Sequence, residues 1–598
     1  MLQSFTATSR PDQGPPRLAR LREEMAREGL DGFWVPRADA HQGEYVAPRD
    51  ERLAWLTGFT GSAGFAIVLP TVAGVFVDGR YRVQVKAQVA EEFTPVDWPE
   101  TKPSDWLREK LPNGGVVGLD PWLHTVEQAE KLEDALEGSG VSLRETANLV
   151  DRIWEDQPAP PMAGARPHPL EFAGESAAEK RTRLARELRE AGHRAAVLTL
   201  PDSICWLLNI RGADVPRVPV AHGFAILHDD GRVDLFMAEA KLAGLADHLG
   251  GEVSVHAPED FAAALARLVG PVRIDPSSAP LAVLRALEGA GVAVKRGPDP
   301  CLIPKACKNA AEIRGAGEAH LRDGAAVCEF LAWLHDQPAG SLTEIDAVKM
   351  LEDCRRATGK LEDISFDTIS CAGPHGAIMH YRVTEETNRR LEAGELYLVD
   401  SGGQYLDGTT DITRTVAIGT PTEEMRACYT RVLQGLITIS RLRWPEGLAG
   451  RDLDALARMP LWLAGQDYAH GTGHGVGSYL SVHEGPQRLA RTGEAELRPG
   501  MILSNEPGFY REGAFGIRLE NLIVVEEAPE LPGGSVAKML RFHTLTYVPF
   551  DRRLVETEML HGPERAWLNA YHALVRSKIG PRVGSAAKTW LDAATAPL

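Results

Sequence analysis

Five residues offer this sequence its chemistry: Asp400, Asp411, His474, Glu506 and Glu520. Four carboxylates and one imidazole are hard donors with a single nitrogen. Such a set suits Mn²⁺ better than a thiolate site would, and four carboxylates are enough to bridge two divalent ions. Asp400 closes an apolar run, LYLVD, and Asp411 opens another, DITRTVAI. Gly-Gly and Asp-Gly turns between the two runs mark residues 395–419 as a hairpin. That hairpin can bring both carboxylates to one sheet edge, where they repel unless a cation or a proton lies between them. Taken singly, each Asp is an ordinary strand terminator or turn former.

Three histidines lie in HGTGHGVGSYLSVHEGP, residues 470–486. His470 and His474 have the four-residue spacing of a helical metal motif, but Gly471, Gly473, Gly475 and Gly477 argue against a helix. The segment is expected to be a loop that approaches a ligand closely. Its imidazoles bind metal when neutral and serve as acid or base near neutral pH. In SNEPGFY, Glu506 follows an apolar strand that Pro507 ends. In GIRLEN, period-2 alternation puts Arg518 and Glu520 on the face opposite Ile517 and Leu519. Arg518 could orient a ligating carboxylate or hold a substrate carboxylate; otherwise it is a surface ion pair of about 1 kcal/mol or less. His380, at the end of CAGPHGAIMHY, is a further candidate for substrate binding or proton handling.

The elements that position these groups read as three domains, 1–160, 161–303 and 304–598. A Pro-, Gly- and Ala-rich linker at 157–169 marks the first boundary, and PDPCLIPKACKNAAEI the second. The first two domains look duplicated. A helix followed by a buried strand at 17–36 returns in EKRTRLARELREAGHRAAVLTLP. LAWLTGFTG, with Trp55, returns as ICWLLNIRG, with Trp206, and GFAI occurs twice. Two α/β domains of similar build are expected in tandem. Residues 1–16 are expected to form a loose tail. Asn309 to His335 reads as a helix, with helices and strands alternating after it. A chain of 598 residues with 44% hydrophobic and 25% charged content has the composition of a globular protein of several domains. Its net charge of −18 weighs against nucleic acid as a partner. Seven cysteines without a C-x-x-C pair fit a reducing compartment. Neither a signal peptide nor a membrane-spanning run is read from the sequence.

The five ligands, in this order and with these flanks, resemble the pita-bread metallopeptidases. HGTGHGVGSYLSVHEGP and SNEPGFY…GIRLEN are similar to the aminopeptidase P (Xaa-Pro aminopeptidase) branch, and two leading domains fit its large, three-domain, cytosolic type. AWLNAYHALVRSKIG, residues 566–580, also resembles that type. The resemblance implies an α/β and α+β architecture: creatinase-like domains over 1–160 and 161–303, then a pita-bread catalytic domain with a C-terminal extension over 304–598. It implies two metal ions per subunit, Mn²⁺ first. Asp400 would serve one ion, His474 and Glu506 the other, and Asp411 and Glu520 would bridge. His380, His470 and His483 would bind substrate and move protons, with Glu506 and Arg518 assisting. His474 and Glu506 would also meet the substrate. The stretch VDGRYRVQ resembles one that supplies a substrate-contacting arginine, here Arg80, and Trp462 sits where that type carries a dimer contact. The implied activity is hydrolysis of the Xaa-Pro bond at a peptide's N-terminus by a water that the two ions activate to hydroxide. Rival readings are a prolidase acting on Xaa-Pro dipeptides and an inactive peptide-binding protein of the same fold.

Overall fold

The computed structural model describes residues 2–535 and 538–598. It forms two compact units, Thr8–Leu302 and Ile303–Leu598, the second including Met1–Ala7.

In the N-terminal unit, the helix Gly14–Glu28 buries Leu18, Leu21 and Met25, the stripe its helical period dictates. Gly29 ends it in the left-handed conformation (φ 64°), with its N–H turned back to the last carbonyls. In the next strand, β1 (Gly32–Pro36), Phe33 and Val35 join that stripe, whereas Trp34 points to the opposite face. Strands β2 (Phe65–Val68), β3 (Ala73–Val77), β4 (Phe93–Asp97), β5 (Gly115–Leu119) and β6 (Val141–Glu145) complete a sheet of order β4-β3-β2-β1-β5-β6. Six further strands are β7 (Ala195–Leu198), β8 (Phe224–His228), β9 (Val233–Phe236), β10 (Val253–His256), β11 (Val272–Ile274) and β12 (Val294–Arg296). They repeat it as β10-β9-β8-β7-β11-β12. The strand directions match too: β1/β2 and β2/β3 are antiparallel, as are β7/β8 and β8/β9, and the other pairs are parallel. The duplicated GFAI opens β2 and β8. Beside a core of the first repeat's own residues, the two repeats share another. One cluster takes Trp34, Ile67, Phe76 and Val117 from the first and Val197, Ile226, Phe236 and Ile274 from the second.

In the second unit, the helix Ala310–His335 starts at Asn309, whose side chain caps it in a reciprocal box with Glu312. The expected hairpin is present. Strands β13 (Ile369–Ala372), β14 (Glu395–Ser401) and β15 (Ile412–Ile418) form an antiparallel sheet in which Asp400 faces Thr413. A second sheet uses β16 (Arg443–Pro445), β17 (Gly473–Gly475), β18 (Glu484–Leu489), β19 (Ile502–Asn505), β22 (Asn521–Glu527) and β23 (Met539–Thr544), in the order β16-β23-β22-β19-β17-β18. A ribbon of β20 (Gly508–Arg511) and β21 (Phe515–Arg518) leaves this sheet between β19 and β22. The helix Gly562–Ile579 adds Leu568, Val575 and Ile579 to the main core.

The loose tail expected over 1–16 is a misreading. Gln3 is buried and its side-chain amide pairs with the backbone of Thr368 on both sides, at 2.9 and 3.3 Å. The N–H of Leu2 meets Glu352 at 2.9 Å, and the carbonyl of Phe5 accepts from Glu385 at 2.9 Å. A carboxamide imitates a neighbouring strand here, and such pairing leaves no periodicity to read.

Candidate metal centre

Asp411 immediately precedes β15, His474 lies within β17, and Glu520 occupies the junction of β21 and β22. One ligand atom from each lies within 4.8 Å of the other two. Glu506, just past β19, brings Oε1 to 3.4 Å from His474 Nε2, and Asp411 Oδ2 lies 3.5 Å from the same nitrogen. Asp400, at the end of β14, is tied to the group through Arg518, whose Nη2 donates to Asp400 Oδ2 at 2.7 Å.

The local sequence explains how the strands come so close. A Cβ on Gly473 would sit 1.9 Å from the Ser504 carbonyl oxygen, and one on Gly475 would sit 2.3 Å from that of Glu484. Only glycine lets β17 lie against both neighbours, as expected from the glycine-rich segment. Ser504 then joins two of the ligands: its hydroxyl accepts from the backbone N–H of His474 at 2.9 Å and donates to Glu506 Oε1 at 3.0 Å. The Nδ1–H of His474 donates to the Gly475 carbonyl at 2.9 Å, which aims Nε2 at the carboxylates. Thr413, two residues beyond Asp411 and so on the same strand face, donates to Glu520 Oε2 at 2.8 Å.

These groups are charged and buried. Burial pushes Asp400 up to about 6, with Asp411 and Glu506 adding and Arg518 opposing. Glu506 is raised, by burial first. Glu520 is held well above the ordinary carboxylate range by burial and by Asp411, Glu506 and Asp400. Burial disfavours protonation of His474, but Asp411 and Glu506 outweigh it and carry the imidazole up to about 9. Asp400 Oδ1, Asp411 Oδ1 and Glu520 Oε1 are buried with no hydrogen-bond partner. Carboxylate oxygens crowded, buried and unsatisfied are what a divalent cation requires, and the donor set fits a pair of such ions.

The other expected residues fall into two groups. His483 lies beside His474, ring centroids 4.2 Å apart. The Nδ1–H of His470 donates to the Gly471 carbonyl at 2.7 Å, so its Nε2 accepts from the Tyr510 hydroxyl at 2.9 Å. Arg518 donates to the same hydroxyl at 2.8 Å. A chain Asp400–Arg518–Tyr510–His470 therefore runs along one side of the carboxylates. His380 is half-buried in the turn after the 3₁₀ segment Gly373–Ala377. That segment packs on β21 so closely that a Cβ on Gly516 would overlap the Gly376 carbonyl. Arg80 belongs to the other unit, where Asp78 holds its guanidinium at 2.6 Å beside the Tyr81 ring. Trp462 is 43% exposed at the end of the helix Arg451–Trp462, next to Leu463 at 83%.

Sequence reasoning missed Tyr510, Thr413 and Ser504. Two left a signal: Thr413 and Ser504 each sit two residues from a ligand in a strand context. It also missed the support beneath His470, where Arg458 donates to the His470 carbonyl at 2.6 Å and to Asp454 at 2.7 Å.

The chain is similar to known proteins over nearly its whole length. The model of "Metallopeptidase family M24" matches residues 314–527, that of the creatinase/prolidase N-terminal domain matches 17–153 and again 156–312, and that of the family's C-terminal region matches 538–598. A probable Xaa-Pro aminopeptidase P of Coccidioides posadasii is 39% identical over 617 residues, covering 99% of this chain and 95% of the relative. This chain belongs to metallopeptidase family M24. Its architecture is that of the family: two creatinase-type N-terminal domains and a pita-bread catalytic domain. Among solved M24 structures, the X-prolyl aminopeptidase of Caenorhabditis elegans, a cytosolic enzyme with a di-nuclear active site, superposes with TM-score 0.93 at 32% identity. The match covers 98% of this chain and all of that one. The Xaa-Pro dipeptidase of Bacillus anthracis gives TM-score 0.51 at 25% identity and spans 63% of this chain.

Proposed function

We propose that this M24 metallopeptidase removes the N-terminal residue from peptides with proline at the second position. The observation that carries the reading is the convergence of Asp411, His474 and Glu520 within 4.8 Å with unsatisfied buried oxygens. The full-length likeness to Xaa-Pro aminopeptidases favours this substrate class over free dipeptides, because the dipeptidase likeness covers only 63% of the chain. A catalytically silent peptide binder would not need this donor set.

In this reading Asp400, Asp411, His474, Glu506 and Glu520 would hold two divalent cations, Asp411 and Glu520 serving both. Mn²⁺ is the first choice for such oxygen-rich ligands. A bound pair supplies Lewis acidity toward the scissile carbonyl and a water acidified to near neutral pH. The protein's own groups do the rest. His474 Nε2 is aimed by the Gly475 carbonyl. Arg518 fixes Asp400 and Tyr510 together. His483 and His380 serve the substrate carbonyl. Glu506, or a proton relayed by a histidine, protonates the departing prolyl nitrogen. His470, receiving the Tyr510 hydroxyl, offers a relay beside it. Arg80 is carried as a substrate contact on the VDGRYRVQ resemblance alone.

A homodimer through Trp462 and the adjacent Leu463 is part of the proposal, supported by their exposure and tested by light scattering at micromolar concentration, where a monomer refutes it. A cytoplasmic location is supported by seven cysteines without a C-x-x-C pair and by the cytosolic relative. No helix among the described residues is long and apolar enough to cross a membrane.

The deciding assay follows release of arginine from Arg-Pro-Pro, with and without Mn²⁺ and a chelator, beside an Xaa-Pro dipeptide. Chelator-sensitive cleavage of the tripeptide, with little on the dipeptide and none by Asp411→Ala, is expected. Full activity of Asp411→Ala would refute the site.

A further inference from the structure

Behind the histidine-bearing loop lies a second cluster of charge to which no ligand role falls. Glu484 follows His483 directly. Its side chain is 0% exposed, and Lys305 and Lys308, each 1% exposed, close on its two oxygens. Lys305 Nζ is 3.0 Å from Oε2, and Lys308 Nζ donates to Oε1. Both lysines come from the segment PKACKN that leads into the helix Ala310–His335. That segment is firmly mounted. The N–H of Lys308 donates to the Gly500 carbonyl at 3.0 Å and Cys307 bridges to Met501. Gly500, at φ 88°, has no room for a side chain against the Lys308 carbonyl.

Three charges buried together are costly to place, and an apolar cluster of similar volume would serve stability as well or better. Their location suggests what they do instead. Glu484 pairs with Gly475 at the start of β18, and its carbonyl lies against Gly475 too closely for a Cβ. Gly475 is the residue whose carbonyl orients the His474 ring, and the His483 ring packs on that of His474. Glu484 is thus joined to His483 through the chain and to Gly475 through the strand pair.

We infer that Lys305, Glu484 and Lys308 form a buried clamp that fixes His483 against His474, making Glu484 a positioning residue for the peptidase reaction. The inference rests on the reading of the two histidines as parts of the site. Because the His474 ring keeps its own bond to Gly475 and its carboxylate neighbours, loosening the clamp should spare metal binding and impair turnover. Outer partners of this kind typically contribute about 10–100-fold.

The test uses the full chain and Arg-Pro-Pro. Glu484→Gln keeps the shape and one acceptor oxygen but removes the charge that both ammoniums grip and turns an NH2 donor toward one of them. The triple replacement Lys305→Met, Glu484→Met and Lys308→Met removes all three charges at once and avoids stranding any of them. A His474→Ala control reports on the site itself. Melting temperature and metal content are read for each variant beside kcat and KM. The expected result is a triple variant that melts at or above the parent, keeps the parent's metal content, and loses about 10–100-fold in kcat/KM. Glu484→Gln should lose activity in the same direction, most of it in kcat. Parental kcat/KM in either folded variant, with His474→Ala inactive, overturns the clamp and leaves the site standing. An active His474→Ala overturns the reading beneath it. If the triple variant does not fold, Glu484→Gln decides alone, with Lys308→Arg as its companion. Recovery of kcat/KM in Lys308→Arg relative to Lys308→Met supports the clamp, and equal activity in the two refutes it.

Discussion

Replacing Arg518 by lysine keeps a positive charge in place and removes the fork. The guanidinium donates through Nη2 to Asp400 at 2.7 Å and through Nη1 to Tyr510 at 2.8 Å. It is one planar group reaching two partners on different strands. A lysine ammonium has one nitrogen and can serve one of them at that geometry. One hydrogen bond involving a charged group is therefore lost, a net cost of about 1.5–3 kcal/mol. If that loss falls on the transition state, kcat/KM drops roughly 10–100-fold, at about 1.4 kcal/mol per factor of ten. Arg518→Met goes further. It leaves the Asp400 carboxylate buried without its cation, at a cost of about 3–5 kcal/mol that should appear as a lower melting temperature. Arg-Pro-Pro hydrolysis at saturating Mn²⁺, with metal content measured on the same samples, separates these effects. A lysine variant with kcat/KM indistinguishable from the parent would show that the fork joining Asp400 to Tyr510 does no work in the reaction.

Gly473→Ala should cost metal and activity together, because its methyl would meet the Ser504 carbonyl at 1.9 Å and push apart the strands that carry His474 and Glu506; elemental analysis showing parental metal content would contradict this. Glu520→Gln should lower metal stoichiometry while the circular dichroism spectrum stays parental, since Thr413 can still bond the amide oxygen; unchanged stoichiometry would remove Glu520 from the ligand set. In the N-terminal unit, burial holds His124 down to about 4, against its bond to the Asp120 carbonyl. An unfolded histidine titrates near 6.5, so the native form's preference for neutral imidazole is worth its full value above that pH. It fades as the pH falls toward 4, by about 3 kcal/mol in all. His124→Asn, which keeps a donor for Asp120, should therefore flatten the fall in that unit's melting temperature between about pH 6.5 and 4.5. An unchanged slope would assign the acid sensitivity elsewhere.

The repeated sheets could be read from the chain because GFAI recurs at the head of matching strands and Trp55 and Trp206 recur in the helices that precede them. What could not be read is that Trp34 and Ile226 would share one core, since each strand shows an apolar face without showing what covers it. Asp400, Asp411, His474, Glu506 and Glu520 stood out by residue type next to turns and glycines. Tyr510 did not, because its hydroxyl gains a role only when His470, 40 residues away, supplies the partner. The same holds for Lys305, Glu484 and Lys308. In the sequence they are two basic residues in a linker and an acid beside a histidine, and only the fold reveals that all three charges are out of water.

Gln3 and Thr368 stand 365 residues apart yet complete one another's hydrogen bonds. At roughly 5–20 residues per second on the ribosome, the opening stretch emerges about 20–70 seconds before its partner exists. During that interval the Thr8–Leu302 unit can close without it, while Leu2, Gln3 and Phe5 stay in water. The catalytic unit is thus finished by a segment synthesised well before most of that unit. A bulky fusion placed ahead of Leu2 would have to be accommodated where that segment lies against Glu352 and Thr368.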